Sequence, residues 1–150
     1  MIVDYNPKSG IAFQGDLMIY PLQKSFKIDQ TQEVSLKQNK ISLLEGESSG
    51  HVHAVYADST LSDRRSLEAL YTLEAAPAAK FYLDEAAATK VVDDPNLMIG
   101  FLVVERPVII AHTKNNSLTG EHNSIRLQPG NYFIGRQREF SSKDVRVVAD

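Results

Sequence analysis

The sequence contains neither cysteine nor tryptophan. Without thiols there is no disulfide framework, no thiolate metal site and no cysteine nucleophile, which leaves imidazole and carboxylate as the strong metal ligands. A surplus of positive charge is missing too: 16 Lys and Arg stand against 19 Asp and Glu, for a formal net charge of -3. That balance argues against a general nucleic-acid binder, because neutralising phosphates takes an excess of Lys and Arg. No apolar run approaches the roughly 18 residues of a membrane span. The opening Met1-Ile2-Val3-Asp4-Tyr5-Asn6-Pro7-Lys8 lacks the basic head and apolar stretch of a secretory signal. The expected setting is therefore cytoplasmic, with neither membrane nor nucleic acid as a partner.

What remains is an ordinary globular composition, 43% apolar and 23% charged over 150 residues, enough for one core without covalent staples. Pro7, Gly10 and Gly15 make residues 1–15 read as an N-terminal arm or irregular lead-in. Leu17 to Tyr20 reads as a first strand that Pro21 ends or confines to an edge. Residues 24–40 read as a weak strand plus loop. Ile41 to Gly46 and His51 to Tyr56 form a hairpin pattern around Glu47-Ser48-Ser49-Gly50. Leu67, Leu70, Tyr71 and Leu73 follow a helical stripe between a cap at Ser62 or Asp63 and the stop at Pro77. After an alanine-rich stretch containing the strand Phe81-Tyr82-Leu83, short β-prone runs recur at 97–104, 107–112, 121–127, 131–140 and 145–148. The pattern predicts a mostly β single domain over 1–150, an antiparallel barrel or sandwich with one short helix.

The chemistry concentrates in the four histidines. His51 and His53 sit two apart on a strand, so both imidazoles project from one face, about 6.6 Å apart along the chain. They can reach one ion, but two histidines alone make a weak and unselective site. His112 and His122 flank the loop from Thr113 to Gly120, and a hairpin centred near Ser117 would set them opposite each other. If the two hairpins face each other across a barrel mouth, the four rings make a three- or four-ligand site for a divalent metal ion, zinc or iron. Two plainer readings stay open. His51 and His53 can simply face water with Val52 in the core, and His112 and His122 can be loop-flanking residues satisfied by backbone.

Carboxylates and amides nearby supply support for such a site. Glu139 and Gln137 share one face of the strand through Phe140, and Glu139 or Glu121 can orient a ligating histidine, complete the coordination or act as a base on metal-bound water. A cross-strand salt bridge is the ordinary alternative for Glu139. Ser48 and Ser49 lack the strand-turn-helix elbow of a nucleophile, and no Gly-rich phosphate loop opens a helix. The basic C-terminal residues, interleaved with Glu139 and Asp144, read as a solvated sheet face.

Several segments together carry a resemblance: Gln14-Gly15-Asp16-Leu17, Glu45-Gly46-Glu47-Ser48-Ser49-Gly50-His51-Val52-His53-Ala54, Glu121-His122, Leu127-Gln128-Pro129-Gly130-Asn131-Tyr132 and Gln137-Arg138-Glu139-Phe140. The chain resembles a family of small bacterial and phage proteins with no assigned activity, marked by a Gly-His-x-His strand, a Glu-His pair and a Gln-Arg-Glu-Tyr/Phe segment. The resemblance implies a shared site at His51, His53, Glu121 and His122. It departs from the family in an insertion before the Glu-His pair, which makes His112 the least secure ligand, in the alanine-rich stretch, and at Phe140, where a tyrosine is expected. The functional expectation is a small metal-binding β protein. The alternative is a non-enzymatic virion or capsid-associated protein that assembles as a homo-oligomer or with other subunits.

Overall fold

Short β-prone apolar runs are broken every few positions by turn residues, which favours short strands over helices. The protein, represented by a computed structural model, is described for residues 2–36, 40–45, 50–58, 67, 70 and 76–136. Its strands are β1 (Ile2–Asp4), β2 (Ala12–Gln14), β3 (Leu17–Leu22), β4 (Ile41–Glu45), β5 (His51–Ala57), β6 (Ala79–Tyr82), β7 (Met98–Val104), β8 (Val108–Lys114), β9 (Ser117–Leu118), β10 (Ser124–Leu127) and β11 (Gly130–Arg136). The helix α1 spans Glu85–Ala88.

Two sheets share no strand. The six-stranded sheet runs β1-β10-β8-β5-β4 with β9 hairpinned onto β8, and the five-stranded sheet runs β2-β3-β11-β7-β6. Among the described strands all pairings are antiparallel except β1 with β10. Leu17, Ile19, Leu102 and Ile134 of the smaller sheet pack with Ile41, Val55, Ile110 and Leu127 of the larger in one core cluster. Each such side chain contributes about 1.5–3 kcal/mol relative to exposure. The architecture is thus a sandwich, and the barrel alternative is set aside because the sheets do not close on each other.

Both sheets are also covered outside. Met18, Phe101 and Phe133 pack under Phe26, Ala87, Ala88 and Val91, while Val52, Ala54, Tyr56, Ile109 and Ala111 form a third cluster with Ile2 and Leu67. Burial on both faces explains why β5 and β8 read as nearly unbroken apolar runs between their histidines.

Several expectations are corrected. The lead-in over residues 1–15 contains two strands, one on an edge of each sheet. Three-residue strands carry no readable period, and β1 pairs with residues 124–126, far away in sequence. Pro21 lies inside β3, past the end of β2, so on that side its missing N–H breaks no ladder. Between 24 and 40 the described residues contain no named strand; they include the 3-10 turn Gln30–Gln32, a bridge from Glu33 to Tyr82 and a bridge residue at Lys40. The helix expected over 62–76 lies outside the described residues apart from Leu67, Leu70 and Ala76. The described helix instead starts after Asp84, whose carboxylate accepts from the Ala87 N–H at 3.0 Å. The strand expected at 145–148 also lies outside.

Candidate metal centre

β5 and β8 are neighbours, and their register places His53 directly opposite His112. Alternation along β5 puts His51 and His53 on the same face as Val55, and His112 shares its face with Ile110, both core residues between the sheets. The histidines therefore extend the inner apolar surface to one end of the sandwich. His53 and His112 are each 5% exposed. This overturns the reading of His51 and His53 as a water-facing pair with Val52 turned inward; Val52 packs on the outer face.

His122 arrives by a different route from the one expected. The β8–β9 hairpin turns at Asn115 and Asn116, both at positive φ (51° and 64°), not near Ser117. Two adjacent left-handed residues make the tight turn that suits strand twist, and asparagine tolerates that conformation. Thr119 rather than His122 then follows alongside His112, its N–H donating to the His112 carbonyl at 3.2 Å. The connection over 119–123 folds back and brings His122 in from above, with ring centroids 5.1 Å from His112 and 5.8 Å from His53. The His53 and His112 rings are 4.8 Å apart, and His51 stands 5.3 Å from His112. The four rings meet within one sheet and its loop, not across a barrel mouth.

Hydrogen bonds set the ring nitrogens. Gln14, 2% exposed, reaches over from β2 in the other sheet. Its Nε2 donates to the carbonyls of Ile110 and Asn123 at 2.9 and 2.8 Å, so its Oε1 faces Nδ1 of His53 at 2.7 Å. Carbonyls only accept, which fixes the amide orientation, makes His53 donate through Nδ1 and leaves the lone pair on Nε2. On His112 the Thr119 hydroxyl donates to the backbone carbonyl at 3.3 Å and sits 2.6 Å from Nδ1. With the hydroxyl proton on that carbonyl, Nδ1 donates to the oxygen and Nε2 is the acceptor; with the hydroxyl proton on Nδ1, the roles of the two nitrogens exchange.

Gly15 closes the centre. A Cβ placed there would lie 3.0 Å from His122 Nε2 and 3.4 Å from His53 Cε1, and the residue holds φ +56°. Both the turn between β2 and β3 and the close approach to the imidazoles require glycine.

Burial is the main cause holding His53 down at about 4, reinforced by His112 and His122 and opposed by Asp16. Burial also pushes His112 below the usual imidazole value, with Glu121 pulling it up and His122 and His51 pulling it down. Near neutral pH His53 is therefore uncharged, the state in which an imidazole ligates metal.

Among the described residues, two groups of side chains bring one ligand atom each within 4.8 Å of one another: His53, His112 and His122, and His51, His112 and Glu121. These residues could hold a metal ion. Beside His122 and Gly15 a cleft of about 370 Å³, walled by Tyr5, Ile11 and Phe13, opens between the N-terminal segment and β10.

All four expected ligands thus converge, with His112, the one the resemblance made least secure, at the middle. Glu121 also joins the cluster. Gln137 and Glu139 lie outside the described residues. Sequence reasoning assigned no role to Gln14, Gly15 or Thr119, although the first two stand in the Gln14-Gly15-Asp16-Leu17 segment that carries the resemblance.

Comparison with known proteins found no match among curated proteins or solved structures. One family profile, described as a domain of unknown function, DUF8820, covers residues 13–137. That span contains the four histidines together with Gln14, Gly15, Thr119 and Glu121, and the match is consistent with an uncharacterised family. The chain belongs to this family of unknown function, DUF8820.

Proposed function

We propose that the protein binds a divalent transition-metal ion through His53, His112 and His122, and that this centre is its functional site. The observation that carries the reading is the convergence of three imidazoles from β5, β8 and the connection after β9, with ligand atoms within 4.8 Å of one another. Two of the rings are buried, the Gln14 amide holds the Nε2 lone pair of His53 available, and Thr119 Oγ1 anchors Nδ1 of His112. Histidine ligands whose second nitrogen is anchored by amide or hydroxyl oxygen are the usual pattern of metal sites. An all-imidazole set suits zinc or iron, and three protein ligands leave a position for water or a small molecule. The cleft beside His122 provides room for one.

The test is elemental analysis of protein stripped with chelator, reloaded with zinc and desalted. Wild type should retain stoichiometric zinc, and His53→Ala and His122→Ala should each lose it while keeping the β signature in circular dichroism. Zinc-free wild type, or folded variants that retain zinc as wild type does, would reject the site.

A further inference from the structure

His112 belongs to both ligand groups. On one side lie His53 and His122; on the other, Glu121 Oε2 stands 3.6 Å from His112 Nδ1 and 3.9 Å from His51 Nδ1. These separations exceed a hydrogen bond. They are close to the spacing of two ligands on a shared ion, because ligand atoms about 2.1 Å from a tetrahedral centre lie roughly 3.4 Å apart. The second group also has the chemistry of a cation site: a carboxylate supplies charge, and the 57% exposed Glu121 side chain is free to close a short gap.

We infer that the centre holds two metal ions, the second bound by His51, Glu121 and Nδ1 of His112, so that the His112 imidazole lies between the two. The inference rests on the three-histidine site proposed above. An imidazole ring presents its two nitrogens on different edges, and His112 directs Nδ1 toward Glu121 while Nε2 remains for the first ion. The second cation takes the place of the Nδ1 proton, which leaves to solvent, and the resulting imidazolate offsets part of the added charge. The Thr119 hydroxyl oxygen, 2.6 Å from Nδ1, stands where that cation binds, so the Thr119 side chain turns away as the second ion enters.

Zinc titration of metal-free protein, followed by native mass spectrometry, tests this. Wild type should saturate at two equivalents, while Glu121→Gln and His51→Ala should each saturate at one. Glu121 is 57% exposed, whereas the His51 side chain, 17% exposed, borders the inner face, so circular dichroism first establishes that both variants keep the fold. Copper(II) gives an independent reading: two ions flanking one imidazolate couple magnetically, so doubly loaded wild type should show a much weaker paramagnetic resonance signal than two isolated ions, and Glu121→Gln should show the full signal of one. Saturation of wild type at one equivalent, or two equivalents in both variants, overturns the second site and leaves the first standing. No bound zinc at all overturns both.

Discussion

His53 is an imidazole kept neutral by its surroundings, and that makes the protein acid-sensitive. An ordinary imidazole takes up a proton as pH falls through 6.5, whereas His53 in the folded state resists until about 4. Between those values the unfolded chain binds more protons than the folded one, so stability falls with pH; it is fully present above the higher value and lost on approach to the lower. The expected loss is about 2 kcal/mol after allowance for screening, and His112 adds to it in the same direction. Urea unfolding of metal-free protein at about pH 7.5, 5.5 and 4.5 measures it, with His53→Leu as the reference that carries the same carboxylates. A wild-type profile parallel to that of His53→Leu would mean the ring is not buried and neutral. His53 was recognisable as a candidate from the His-x-His spacing alone. Gln14 was not, because its partner lies 39 positions away on the other sheet and a lone glutamine has no spacing to betray it.

The pairing of β5 with β8 decides which rings meet, and the turn after β8 decides the register that follows. Asn115 holds φ 51° and Asn116 φ 64°, with the Asn116 side chain accepting from the Tyr56 hydroxyl at 3.0 Å and from Lys40 Nζ at 2.7 Å. Replacing Asn115 by a β-branched residue forces that side chain into left-handed backbone, at roughly 1–2 kcal/mol. Asn115→Val should therefore lower stability by about that amount, while Asn115→Gly should be neutral or slightly stabilising. Denaturant midpoints of the two variants check this, and equal midpoints would contradict the turn assignment. The sequence reading found β8 and a turn after it, but took the residues of β9 as part of the loop. It missed the register because Thr113 to Gly120 offers several turn-forming residues, and a shift of a residue or two in the turn changes every facing pair.

The sandwich keeps its histidines at one end of a shared core, so the ion binding proposed above would be linked to folding throughout the molecule. A ligand that binds only the folded state stabilises it by about 2.7 kcal/mol at a hundred times its dissociation constant. For a domain of this size that is a Tm rise of about 5–10 °C. Thermal unfolding with and without zinc should show the rise in wild type and its absence in His53→Ala and His122→Ala; equal shifts in all three would place zinc elsewhere. By itself the sequence determined the strand-rich class, the exclusion of thiol chemistry and the candidacy of the histidines, because composition, short apolar runs bounded by turn residues and the His-x-His spacing are local properties of the chain. Only the tertiary structure decided that the sheets stay open as a sandwich, that Gln14 and Gly15 cross from one sheet to close over the other, and that Asn115 and Asn116 place Thr119 rather than His122 beside His112. Those outcomes depend on contacts between distant segments, whose energies are set by packing and register and leave no mark in any single stretch of residues.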